Sequence, residues 1–285
     1  MRLPQTAGAP NAMPSMTDFD PSGRRDDATM RDALRLDSTI NAATAVTPRT
    51  GYAGLTKTLT YSYLFVLPLF VLYEVGILAL SGGTGAGVRV GAEVLIRQFL
   101  ALIGVDGTFW LGVLVIVVGA VIVGVERRQG IRLRGWYFGG MLAESLVYAV
   151  LVGLAVSTLV GAIFAAAPPL QIAGSSSLAE GLVLSLGAGL YEELLFRLVL
   201  VSALYALLRL APISNAARYS IAAVVGALIF SWAHYIGPLG YEFTLSSFAF
   251  RAIMGMALNA LFLLRGFGIA AMTHALYDVI VTLMT

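Results

Sequence analysis

From about residue 58 to the C-terminus, the chain reads as a series of long apolar stretches separated by short polar breaks. Crossing ~30 Å of hydrocarbon as a helix takes about 20 apolar residues. On that measure the pattern predicts seven spans, at roughly 58–80, 107–124, 137–165, 178–208, 217–236, 246–264 and 267–284. Between the first two lies GVRVGAEVLIRQFLALIG, apolar at helical spacing but broken by Arg89, Glu93 and Arg97. That periodicity predicts an interfacial amphipathic helix. Pro68 is expected to kink the first span, and Gly237–Pro238 to end the fifth helix. The fourth span opens on SSSLAEG, where Ser177 and Glu180 have capping-box spacing, so a helix is expected to start there.

Residues 1–50 follow no such pattern. MTDFDPSGRRDDATMRDALRLD is polar, mixed in charge and poor in large apolar residues. A segment of this kind cannot bury enough surface to fold alone and is expected to be a disordered cytoplasmic tail. No short apolar core follows a basic end, so no signal peptide is read, and Met13, Met16 and Met30 are alternative starts. The expected organisation is therefore a tail over 1–50, N-terminal transmembrane helices with the amphipathic helix over 51–177, and a core over 178–285.

Composition agrees with that pattern. Of 285 residues, 58% are apolar and only 12% charged, which makes the chain an all-α, polytopic membrane protein. With no cysteine, disulfides and thiolate metal sites are excluded, and a formal charge of +2 does not suggest nucleic acid. The placement of charge is more informative. Fourteen Lys and Arg residues fall on one side of the predicted spans, whereas the other side holds only Arg89 and Arg97. This asymmetry puts the N-terminus in the cytoplasm. No internal repeat or paired, interrupted helices point to a transporter, although intramembrane Glu and His can relay protons.

Ionisable groups at bilayer depth cost several kcal/mol and call for a reason. Glu74 and Glu144 in the first three spans read as satisfied structural carboxylates. The last four spans hold Glu192, Glu193, Arg197, His234, Arg251, Asn259, His274 and Asp278, including both histidines of the chain. At 1.5 Å per residue Glu192 lies about 22 Å from Ser177, well inside the bilayer. Glu193 and Arg197 are four apart on one helical face and can neutralise each other as a supporting pair. Glu192 is turned ~100° away on an α-helix and reads as the free, functional carboxylate. His274 and Asp278 are also four apart, and the acid could fix the imidazole's tautomer. Arg251 should pair with a carboxylate or carbonyl that the sequence does not identify. A carboxylate and two imidazoles from three helices are the parts needed to activate water and stabilise an oxyanion. HExxH and GxSxG are both absent. The same Glu192, His234 and His274, with Asp278, could instead hold zinc or another divalent metal.

Three ordered motifs carry a resemblance. EELLFR fits EExxxR, FSWAH from Phe230 to His234 fits FxxxH, and HALYD from His274 to Asp278 fits HxxxN or HxxxD. In that order, and with the closing stretch FAFRAIMGMALNALFLLRGFGIAAMTHALYD, residues 178–285 resemble the CPBP family of intramembrane proteases, the CAAX- and bacteriocin-processing enzymes related to the Ras-converting enzyme. The resemblance implies an endopeptidase cutting a membrane-embedded or membrane-associated peptide. Glu192 would be the general base for water and His234 would assist it. His274 and the residue at 278 would stabilise the oxyanion, with Glu193 and Arg197 in support. The best-understood CAAX-processing members have Asn where this chain has Asp278. An ionised carboxylate offers no donor, so Asp278 either is protonated or orients His274. The family has been described both as metalloproteases and as metal-free glutamate enzymes, and the expectation here is the metal-free form without a cofactor. A compact chain points to a bacterial inner (plasma) membrane, with a small membrane peptide, leader peptide or membrane-anchored regulator as substrate. The alternative is a non-catalytic membrane binding or bacteriocin-immunity protein with the same fold.

Overall fold

The computed structural model describes residues 51–83, 87–105, 107–164, 177–237 and 240–284. The expected disordered tail over 1–50 lies outside them. Four helices begin where a Ser or Thr hydroxyl accepts an otherwise orphaned backbone N–H of the first turn. Thr58 caps α2 (Leu59–Leu80) and Ser177 caps α6 (Leu178–Gly187). Ser214 caps α8 (Asn215–Ala233) and Thr244 caps α9 (Leu245–Arg265). The expected helix start at Ser177 is therefore in place, its hydroxyl accepting from the Glu180 N–H. The remaining helices are α1 (Gly51–Thr56), α3 (Gly91–Leu102), α4 (Gly107–Arg128), α5 (Gly135–Phe164), α7 (Ser202–Leu208) and α10 (Phe267–Met284).

Among the described residues six helices are long and apolar enough to cross a membrane: α2, α4 from Trp110, α5, α8, α9 and α10. The predicted fourth span is helical from Leu178 to Leu208 but is not one α-helix. Between α6 and α7 the chain winds as a π-helix over Ala188–Val201. Bonds from i to i+5 widen the turn, and such segments are frequent at functional sites. A period of 3.6 read from sequence has no means of anticipating this change.

Burial is arranged as lipid demands. Large apolar side chains such as Leu151, Leu154, Val121 and Trp136 are exposed, while Glu93, Glu193, Arg197 and Asn259 are buried. With apolar surface already at home in hydrocarbon, polar pairing and close packing hold the helices together. At the centre stands α10, buried on every face from Gly268 through Ala275 and packed against α2, α5, α6, α9 and the π-helix. Small residues allow this. A Cβ on Gly189 would come within 2.5 Å of the Ala275 backbone nitrogen, so the π-helix and α10 touch backbone to backbone. The chain turns from α9 into α10 at Gly266, whose φ of 88° suits glycine.

The helix over 91–102 forms as expected and is amphipathic, but its polar face is turned into the protein. Glu93 is fully buried, taking Arg89 Nη1 at 2.5 Å, Arg97 Nε and the Tyr73 hydroxyl. Glu74 binds the same two arginines, at 3.4 and 3.3 Å, and accepts from Tyr191 at 3.0 Å. Burial works against the Arg89 charge, yet Glu93 and Glu74 outweigh it and hold its pKa above the ordinary guanidinium value. Leu95, Phe99 and Leu102 face outward. Glu144 is likewise satisfied, bound by Arg265 at 2.5 and 2.8 Å, Tyr52 at 2.8 Å and Tyr148 at 3.0 Å. Both carboxylates have the structural role read from sequence.

Candidate active site

The residues singled out in the sequence meet at one cavity of about 690 Å³, lined by Glu192, His234, His274, Asp278 and Arg251 among others. Four elements supply them, α9 among them with Arg251. The π-helix carries Glu192, Glu193 and Arg197, His234 is the C-cap of α8, and α10 carries His274 and Asp278. Asn259 is spent elsewhere, its Nδ2 donating to the Ala223 carbonyl at 2.7 Å to tie α9 to α8.

His234 is fixed by its own helix. Its Nδ1 lies 2.9 Å from the Phe230 carbonyl. A carbonyl can only accept, so Nδ1 carries the proton and Nε2 presents a lone pair. That Nε2 faces Glu192 Oε2 at 3.7 Å. The spacing FxxxH thus acquires a physical reason, since residue i+4 is the one whose side chain reaches the carbonyl at i. The Phe230 ring works too: it covers the Arg197 guanidinium at 4.2 Å and meets the His234 and His274 rings edge-on.

His274 is held from another side. Its Nδ1 lies 2.7 Å from Glu193 Oε1, the same oxygen that pairs with Arg197 Nη1 at 3.0 Å. Its Nε2 points into the site, 3.4 Å from Asp278 Oδ2 and 3.9 Å from Glu192 Oε2. The supporting pair Glu193–Arg197 exists as expected but does more than neutralise itself, because Glu193 orients an imidazole. The two neighbouring carboxylates, expected ~100° apart from α-helical geometry, instead approach opposite nitrogens of one ring. The wider π turn reduces the angle between neighbours and makes this possible. Sequence spacing gave Asp278 as the group nearest His274, whereas Glu193 holds its Nδ1.

Glu192 Oε2 is buried and makes no hydrogen bond among the described residues. An unmet buried acceptor is costly, and its position between two imidazole nitrogens is where an incoming donor would be received. The partner of Arg251 is now clear as well. Its Nη1 bonds the Ser247 hydroxyl, the Tyr235 hydroxyl at 3.1 Å and the Ser247 carbonyl at 3.4 Å, and its guanidinium lies 4.1 Å over the Tyr241 ring. Tyr235 and Tyr241 were not anticipated, since they follow the α8 helix in a stretch without periodicity.

For a metal, the donors available are Glu192, His234, His274 and Asp278. Among the described residues no group of three or more His, Asp or Glu is set to hold an ion. Glu192 Oε2 stands 3.7 and 3.9 Å from the two imidazole Nε2 atoms, while the Nδ1 atoms are held by the Phe230 carbonyl and Glu193.

Residues 174–280 match the family described as type II CAAX prenyl endopeptidase Rce1-like. No curated protein and no solved structure matches the chain. The matched segment holds all three motifs, the π-helix, and each of the cavity's carboxylates and imidazoles named above. It is a segment of a peptidase family, carried on a helical chain suited to crossing a membrane several times. Over this segment, 107 of its 285 residues, the chain is similar to that family of CAAX-type proteases.

Proposed function

We propose that this protein is an intramembrane endopeptidase in which Glu192 and His234 jointly activate a water molecule. The observation that carries the reading is the buried, unbonded Glu192 Oε2 facing the lone-pair nitrogen of His234 at 3.7 Å. Two acceptors so placed can share one water, each accepting a hydrogen bond from one of its O–H groups. The oxygen lone pair is then free to attack a peptide carbonyl while Glu192 removes the proton. As an imidazolium braced by Glu193, His274 presents Nε2–H to the oxyanion of the tetrahedral intermediate. Asp278, on the same side, holds that ring charge in place. Glu192 then returns its proton to the leaving amine.

Nothing in this sequence of steps passes through a metal, and the reading is the glutamate-type enzyme. The wall formed by Leu184, Phe196, Phe230, Met254 and Val281 suits an apolar peptide segment. The Lys and Arg bias supports a cytoplasmic N-terminus, and a bacterial plasma membrane is the setting we infer. The test is hydrolysis of a membrane-peptide library by purified protein in detergent, parent and Glu192→Gln side by side, each with and without a strong chelator. Cleavage lost in the variant and indifferent to chelator supports the reading. Cleavage lost with chelator would make the same residues partners of a metal. Cleavage equal in parent and variant would overturn the role of Glu192.

A further inference from the structure

Arg251 differs from the other arginines drawn into the helical body. Arg197 pairs with Glu193, Arg89 and Arg97 with Glu93 and Glu74, and Arg265 with Glu144. Arg251, only 8% exposed, has no carboxylate at ion-pairing distance among the described residues. A buried cation with no carboxylate at ion-pairing distance is costly, and the other four positions show how this fold otherwise meets that cost.

What surrounds Arg251 is built for holding it still. All its hydrogen bonds within the described residues use Nη1, to Ser247 and Tyr235, and those two hydroxyls are bonded to each other at 2.7 Å. Tyr241 lies against the guanidinium face at 4.1 Å. The edge formed by Nε and Nη2 makes no hydrogen bond within the described residues, and the residue lines the same cavity as Glu192, His234 and His274. Two parallel N–H groups on a rigid plane match the two oxygens of a carboxylate. We propose that Arg251 is a carboxylate-binding subsite of the cavity, taking either the C-terminal carboxylate of the bound peptide or an acidic side chain close to the cut. The inference rests on the peptidase reading, to which it adds a substrate class: an apolar segment carrying one negative charge near the scissile bond. Arg251 here is a specificity residue, since it meets the substrate away from the reacting atoms.

The experiment measures binding, so that it stands apart from catalysis. Full-length protein carrying Glu192→Gln, which keeps peptides uncut, is placed in lipid nanodiscs. Labelled apolar peptides are titrated in matched pairs: free acid against C-terminal amide, and, with the terminus amidated, an internal Glu against Gln. Charge-assisted hydrogen bonds to a mostly buried guanidinium lead us to expect about tenfold or tighter binding of the carboxylate member in one pair. The pair that shows the preference tells the terminal carboxylate from the side chain. The preference should vanish in Arg251→Gln and survive, weakened, in Arg251→Lys, which keeps the charge if the neutral variant fails to fold. Equal binding within both pairs, binding of no member, or a preference that persists in Arg251→Gln overturns the proposal. Hydrolysis by the parent is read independently, so a failed subsite is distinguishable from a failed peptidase.

Discussion

Glu193 Oε1 lies 2.7 Å from His274 Nδ1 and 3.0 Å from Arg197 Nη1, so one carboxylate oxygen braces an imidazole and neutralises a guanidinium at once. All three side chains are buried or nearly so. Replacing Glu193 by Ala strands Arg197 and releases His274 together. Breaking a buried pair costs about 3–5 kcal/mol, and we expect a matching fall in thermal stability in detergent. An unchanged unfolding midpoint in Glu193→Ala would refute the bracing role.

The approach of the π-helix to α10 depends on Gly189. Its missing Cβ would lie 2.5 Å from Ala275 N and 2.6 Å from Ala275 Cα, and backbone cannot step aside. Gly189→Ala should cost about 1–3 kcal/mol as overpacking and pull Glu193 from His274. Gly124→Ala is the control, because nothing lies within 4 Å of its Cβ position. There helix propensity alone should raise stability slightly, by up to ~1 kcal/mol. Equal effects of the two substitutions on thermal unfolding would contradict the close contact.

The ring of Phe230 covers Arg197, while its carbonyl sets the tautomer of His234. Only the ring is lost in Phe230→Ala. A cost of about 3–5 kcal/mol in stability is expected from the cavity and the uncovered guanidinium. Phe230→Leu should recover most of the packing but not the cation–π contact, and should fall between. A Leu variant no more stable than the Ala variant would count against packing as the cause.

Helix α3 is docked by charge, with its apolar residues Leu95 and Phe99 facing outward. Glu93→Ala leaves Arg89, Arg97 and Tyr73 without their shared acceptor. Hydrogen exchange across Ala92–Leu102 should then rise well above the parent while exchange in α10 stays slow. Parent-like protection of α3 in this variant would show that the charges are not what holds it.

Much of this could be read in the sequence, because lipid makes the rules strict. Apolar length gave seven spans, six of which are helices long and apolar enough to cross a membrane among the described residues, and an ionisable residue at depth needed a reason that the cavity supplies. Glu192, His234, His274 and Asp278 come together as the motifs implied. Two things stayed hidden. The π-helix packs its Gly189 against Ala275, 86 residues away in the chain, and no local spacing announces it, so Glu193 was legible only as the partner of Arg197. Arg251 has Ser247 at helical spacing but no carboxylate there, and its other contacts, Tyr235 and Tyr241, come from beyond the end of the preceding helix. The inward face of α3 was also not legible, since periodicity gives the existence of two faces and not their direction.

The most direct test of the account is single-turnover hydrolysis of one cleaved peptide by the parent and by Glu192→Gln, with peptide affinity measured alongside. General-base catalysis contributes about 10²–10⁴ in rate. The account predicts a loss of that size in the chemical step with affinity nearly unchanged, because Gln keeps the shape and removes the base. A variant that cleaves within about threefold of the parent rate, far inside that range, would show that Glu192 is not the residue that activates water.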